Sequence, residues 1–460
     1  MLKNKYTSTA YQNLDEFVFG DAKFPVKLKN GMVIGGGTVY PELNFTLPPM
    51  SVVDDTIQRA YDHYQEIITG TCERAKELGV PGFSAEIELV PQMTFRPEWG
   101  GETNRIVVDT IKEHDAKHGV KGAVRLTVTD IREGVTLEHM WHGKHWDLVI
   151  ETFERAGKTG ADFLAIETVG GKDVHDEGLM YCDIKKVIFA LSVLACRDME
   201  KIWTEIVKIA DKYHCTPAGD TACALANTAM VLAEKNYIPR VLGAADRVMN
   251  GVRSLVAVEC GATGPDKDCG YEGVYEKAIA GIPITMEGRI AAVAHLSSVG
   301  NIASCLCDMW SNESIPNIKL FGGMAPVVSF EQLAYDCRIM NLAKKRGKDV
   351  ALLIRDLNAD SDSHLDPHAF ILRPDVVLRI AKGIVSVDGW YKRLCKAAEL
   401  SFAEMAEGNK QGRLNLAEKE KVALKQFQED LAKMPSTEDQ LLSEMMSGEC
   451  EKLVPKHYDL

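Results

Sequence analysis

FLAIETVGGKDVHDEG (163–178) decides how the rest of the chain is read. A short apolar run, FLAI, ends on an acidic residue, Glu167, and passes through two glycines into a helical stretch. Such a strand is buried on both faces, which is the pattern of a parallel sheet covered by helices. The same grammar extends outward in both directions. FSAEIEL (83–89) and AVRLTV (123–128) read as strands, with helices at 103–118 and 145–160. Further along come a helical region at 183–212 and a short strand in YHCTPAG (213–219). Asp220 is placed to cap the helix beginning TACALANTAMVLAEK, and SLVAVEC (254–260) reads as a strand entering the loop GATGPDKDCG. A helix at 272–280, a strand at 282–286, a helix at 290–300 and an apolar segment at 318–321 complete the alternation.

An open doubly wound sheet and a closed (β/α)8 TIM barrel both fit alternating strands and helices. About seven or eight strand–helix units between residues 80 and 370 favour the barrel. The absence of a GxGxxG fingerprint after any strand weakens a dinucleotide-binding sheet. Residues 1–80 then form an N-terminal arm and a helix, 81–373 the (β/α)8 barrel with the metal site, and 374–460 a helical extension. In the arm, residues 1–50 read as irregular, GMVIGGGTVYPELNFTLPPM (31–50) as an extended or looping stretch with Gly35, Gly36 and Gly37 as a turn or a close backbone contact. A helix with Ser51 as its cap follows Pro49 and stops at Gly79. In the extension, EKEKVALKQFQEDLAKM (418–434) is an amphipathic helix.

Composition narrows the function. The chain has 460 residues, 46% hydrophobic and 26% charged, which is ordinary for a globular protein. With 53 basic and 66 acidic residues the net charge is −13, which disfavours nonspecific binding to nucleic acid or anionic membrane. MLKNKYTSTAYQN has no apolar core of a secretory signal, and no apolar run is long enough to span a bilayer. The 12 cysteines show no repeated spacing and no CxxC. A reducing cytoplasm is expected, with most thiols buried as small hydrophobes.

In a barrel the chemistry sits at the C-terminal ends of the strands, so polar residues just past an apolar strand are the candidates. Glu167 is one; Glu259 and Cys260 end SLVAVEC, and Cys269 follows in the loop. Cys223 lies in the first turn of a helix, where free N–H groups favour the thiolate. Two thiolates and a carboxylate with one open position suit a catalytic zinc ion. Rival metal residues are His139, His142 and His145; there is no HExxH. The acidic stretches HDE (175–177) and DLNADSDSHLD (356–366) read as solvated loops. Glu88, Glu167 and Glu259 leave a glycosidase-like carboxylate pair open. No GxSxG is present.

Three segments taken together, FLAIETVGGKDVHDEGLMYCDIKK (163–186), CTPAGDTACALANTAM (215–230) and VAVECGATGPDKDCGYEGVYEKAIAG (256–281), closely resemble the zinc-containing, methanol-activating subunits of the methanol:corrinoid methyltransferases of methanogenic archaea. The likeness spans the whole chain. It implies a (β/α)8 barrel with zinc at its mouth, held by one glutamate and two cysteines. These roles fall on Glu167, Cys223 and Cys269, with Cys260 as the reserve ligand. It also implies transfer of the methyl group of methanol to the cobalt(I) of a corrinoid carried by a partner subunit, the first step of methanogenesis from methanol, in a heterotetramer of two such subunits with two corrinoid subunits. Asp220 and Glu259 are candidates for the proton donor, and Ala222, Ala224, Gly261 and Ala262 for the wall of a small pocket. Three other readings remain: a methyltransferase for methylamines or methoxyarenes, a non-catalytic scaffold for the corrinoid protein, and a barrel hydrolase with paired carboxylates.

Overall fold

Alternate residues of the buried strands differ in kind, and this organises the molecule. Ala85 and Ile87, Leu126 and Val128, and Leu164 and Ile166 belong to one hydrophobic core shared with the surrounding helices. The residues between them include Ser84 and Glu86, and Arg125 and Thr127, which are just as buried but polar. A strand shows its successive side chains to opposite faces, so the sheet has an apolar outer face and a polar inner one.

In the computed structural model, residues 5–47, 50–134, 136–267, 270–294, 297–314 and 318–460 are described. The strands are β1 (Asp21–Lys27), β2 (Val33–Gly36), β3 (Tyr40–Phe45), β4 (Phe83–Glu88), β5 (Gly122–Thr129), β6 (Phe163–Glu167), β7 (Thr216–Asp220), β8 (Thr285–Glu287) and β9 (Met309–Ser314). β1 and β2 form an antiparallel hairpin. The other seven make one parallel sheet in the order β7-β6-β5-β4-β3-β9-β8. From β3 to β7 each strand lies beside the next, joined through helices such as Ile57–Leu78, Pro97–His118, Lys144–Thr159 and Cys196–Tyr213.

The sheet curls. Arg125 on β5 reaches Glu42 on β3 (3.1 Å), the Pro265 carbonyl (2.9 Å) and Thr285 on β8 (2.8 Å), with Arg125 and Glu42 both fully buried. One guanidinium can touch all three only across a polar interior. Residues 263–266 bond to both outer strands. Thr263 N and Gly264 N donate to the Pro217 and Ala218 carbonyls on β7 (2.9 Å each), and Thr285 N donates to the Asp266 carbonyl (2.8 Å). At the N-terminal ends of the strands, Val26, Leu28, Met32 and Ile34 of the hairpin region pack with Ala123, Phe163, Ala218 and Met309. That leaves the opposite end as the place for a site.

Several expectations are corrected. Residues 1–50 are not irregular throughout: β1 and β2 pair as a hairpin, and β3, wholly buried, lies inside the sheet between β4 and β9. SLVAVEC (254–260) is no strand but the end of the helix Arg240–Cys260, which is buried at every position from Val241 to Glu259. A helix buried all round loses its 3.6-residue stripe, and its apolar last two turns imitate a buried strand. The 290–300 helix is shorter, Arg289–Ala294, and the 318–321 segment is half of a two-residue hairpin with Gly323–Met324. Ser51 caps nothing, because the first long helix starts at Ile57 after Thr56. Both acidic "loops" are ordered: 175–177 lies in the helix Lys172–Met180, and Asp362 accepts from Asn301 N (2.7 Å) and Ile302 N (3.1 Å).

Candidate active site

At the C-terminal ends of the strands lies a cavity of about 330 Å³ lined by Glu88, Thr127, Thr129, Glu167, Lys172 and Ala224, among others. Parallel pairing brings the acids together. Glu88 sits beside Thr127, Thr129 beside Glu167, and Asn44 beside Glu313. Glu167 is half-buried at the last position of β6, as its place after FLAI suggested. Cys223, half-buried, opens a wide helical turn, Cys223–Asn227, which continues as Thr228–Glu234. The two residues meet: the Cys223 thiol hydrogen-bonds the Glu167 carboxyl. Asn227 Nδ2 donates to Cys223 Sγ at 3.2 Å.

Lys267, 3% exposed at its side chain, was not singled out from the sequence. Its Nζ lies 2.7 Å from Glu167, 3.3 Å from Glu86 and against Glu88. One ammonium is thus ringed by three carboxyls. Burial pushes the Glu167 carboxyl up; Lys267 pulls it back and Glu88 adds to the rise. Burial would also raise Glu88, but Lys267 and hydrogen bonds from Asn44 and Glu167 hold it below the usual carboxylate range. Burial takes Glu86 to about 8, with Lys267 opposing. Glu313 reaches about 7 through burial and the nearby Glu88. The site therefore mixes ionised and protonated carboxyls near neutral pH. A sequence signal for it existed: in β4 and β5 polar residues recur at every second position (Ser84, Glu86, Glu88; Arg125, Thr127, Thr129), unusual for strands buried on both faces.

The other candidates lie elsewhere. Asp220 is fully buried in an ion pair with Arg253 (2.8 Å), so it is a core anion and not a helix cap; burial pushes it to about 7. Glu259, on the Arg240–Cys260 helix, pairs with Arg393 (3.0 Å) of the helix Trp390–Lys410. Cys260 ends that helix with its thiol on the Glu200 carbonyl (3.8 Å), its pKa raised to about 12 by burial. Gly261 and Ala262 border a separate cavity beside Phe24 and Val26, near the hairpin, whereas Ala224 lines the mouth. His139 and His142 stack on each other (4.0 Å), and His145 lies against Phe95. His175 is wholly buried with Nε2 2.8 Å from Asp246; although burial opposes it, Asp246 raises its pKa to about 9. Cys269 lies outside the described residues. Among the described residues no group of three or more His, Cys, Asp and Glu side chains is placed to hold a metal ion.

A curled parallel β/α sheet with thiol, carboxyl and ammonium groups gathered at the C-terminal ends of its strands is the architecture of a barrel-type enzyme site. The family model described as methanol-cobalamin methyltransferase B subunit matches residues 3–459, and the chain belongs to that family. It is 37% identical, over the whole of both chains, to a methanol–corrinoid protein co-methyltransferase of Methanosarcina barkeri strain Fusaro. It also superimposes over the full length of both chains, with a TM-score of 0.95 and 36% identity, on a chain of the methanol:cobalamin methyltransferase complex MtaBC from Methanosarcina barkeri. No helix among the described residues is long and apolar enough to cross a membrane.

Proposed function

We propose that this chain activates methanol on a zinc ion held by Glu167, Cys223 and Cys269 and passes its methyl group to the cobalt(I) of a corrinoid protein. The observation that carries the reading is the contact of the Glu167 carboxyl with the Cys223 thiol at the mouth of the cavity, in a chain of this family. A carboxylate and a thiolate that touch can share one ion, and the donor set suits zinc. Bound zinc would supply Lewis acidity to the methanol oxygen. The remaining work belongs to the chain. Lys267 holds Glu167 and Glu88 in place, and Asn227 steadies the Cys223 sulfur. The partner's cobalt(I) would supply the electron pair that takes up the methyl carbon, and this chain's part is to deliver a proton to the departing oxygen so that it leaves as water. Glu313, half-buried and with its pKa near 7, is a better proton source than Asp220 or Glu259, which are tied up in buried ion pairs.

The same reading makes the sheet a (β/α)8 barrel, with 263–266 as its eighth stave, supported by their hydrogen bonds to both outer strands. The segments 1–80, 81–373 and 374–460 remain the arm with its helix, the barrel and the helical extension, with β3 contributed to the sheet from the first. A cytoplasmic heterotetramer of two such chains and two corrinoid subunits, working in the first step of methanogenesis from methanol, completes the proposal. The test is methyl transfer from labelled methanol to a cobalt(I) corrinoid protein, run beside methylamine and a methoxylated arene. Transfer from methanol alone, lost in Glu167→Gln and Cys223→Ala, supports the reading. Transfer that survives complete zinc removal, or that prefers an amine, contradicts it.

A further inference from the structure

Residues 452–459 lie against the mouth of the site, far in sequence from anything that lines it. Tyr458, buried at 9% exposure, accepts a hydrogen bond at its hydroxyl from Gly171 N (2.8 Å), and its ring meets Trp141 edge to face at 6.2 Å. One residue earlier, the His457 carbonyl accepts from Met140 N (3.2 Å). The segment therefore grips two loops, one after β5 and one after β6. Those loops are also tied to each other, since Val169 N donates to Asp130 (3.1 Å), which is locked to Arg132 (2.7 Å). A gap of only about 50 Å³ separates the segment from the loops, and its walls share Glu133, Val169 and Lys172 with the larger cavity.

Gly171 is a sensitive point to hold. Its φ of +79° is left-handed, and a Cβ there would lie 2.7 Å from the Ala190 carbonyl, so the loop has one tight path. Upstream the path leads in four residues to Glu167. Downstream, Lys172 spans the mouth and donates to the Ala224 carbonyl (2.9 Å), next to Cys223. Both described members of the proposed ligand set thus hang on the loop that Tyr458 pins.

We propose that Tyr458 is a positioning residue for the active site, acting through Gly171 to fix Glu167 and, through Lys172, the Cys223 turn. This inference rests on the proposed function for its target but not for the contact itself. Tyr458→Phe keeps the ring against Trp141 and removes only the acceptor of a buried N–H. In the full-length chain, hydrogen exchange of residues 168–172 should quicken by about tenfold while the amides of β4 and β5 keep their protection. Zinc affinity, measured by competition with a chelator, should fall by about tenfold and the KM for methanol should rise, with the melting temperature little changed. Asp459→Asn, which keeps a side chain suited to the left-handed backbone there (φ +54°) and removes only the charge of an exposed contact to His139 (3.1 Å), should alter none of these. Unchanged exchange at 168–172, or quickened exchange with unchanged zinc affinity and KM, would overturn the proposal. If the unaltered chain binds no zinc, the functional reading fails, and the exchange result alone decides whether Tyr458 pins the loop.

Discussion

Replacing Lys267 by Met removes an ammonium that contacts three carboxyls while preserving most of the side-chain volume. With Nζ 2.7 Å from Glu167, that attraction is about 6 kcal/mol at an effective dielectric of about 20, and the contact with Glu88 is at least as strong. Most of that repays desolvation, and removing one partner of a buried pair costs about 3–5 kcal/mol net. The carboxyls can relieve the loss only by taking up protons, so the cost depends on pH. In the unaltered protein Glu88 is held below its ordinary value, near 4.5. Its stabilisation is present above that value and fades as pH falls through the folded pKa. In the variant burial is opposed only by the hydrogen bonds from Asn44 and Glu167, so the pKa of Glu88 rises and the stabilisation it gave at high pH shrinks. The stability gap should therefore widen with pH, from about 1 kcal/mol near pH 5 to about 3 kcal/mol near pH 8. Urea denaturation of the zinc-free proteins at several pH values measures it. A gap that is flat with pH, or below about 1 kcal/mol near pH 8, would mean that the ammonium does not hold the carboxyls together.

Other expectations follow from single contacts. Glu86, raised to about 8, stabilises the fold fully below its ordinary value and loses that contribution as pH climbs through 8; Glu86→Gln should flatten the alkaline side of the stability profile while keeping the Thr127 hydrogen bond. Gly219→Ala would set a Cβ 3.1 Å from the Asp266 backbone and closer still to its carboxyl, so it should lower stability by about 1–3 kcal/mol in thermal melts. Cys260→Ala, at the far end of the Arg240–Cys260 helix, should leave zinc content unchanged by elemental analysis.

Much of the sheet was legible because β4, β5 and β6 combine apolar runs with helix-stopping glycines, and Glu167 stood out as an acid at the end of one of them. Cys223 was legible as a thiol at a helix start. What failed did so for identifiable reasons. β3, YPELNF, holds a proline and follows a glycine run, and β9, MWSNES, has no apolar run, because half of each strand faces a polar interior. The 240–260 helix, buried all round, hid its period and offered a false strand end that made Glu259 and Cys260 look like rim residues. That error also obscured Lys267, which reaches the carboxyls from the segment between β7 and β8. The alternation of β4 announces Glu86 and Glu88 and the end of β6 announces Glu167, but the contact of Tyr458 with Gly171, 287 residues apart, has no local trace in the sequence.

The most direct measurement is X-ray absorption at the zinc edge of the purified chain, free of its corrinoid partner. The account predicts one zinc per chain with two sulfur neighbours at about 2.3 Å and lighter oxygen neighbours at about 2.0–2.2 Å, one sulfur being lost in Cys223→Ala. A zinc shell without sulfur, or one unaltered by that substitution, would contradict it.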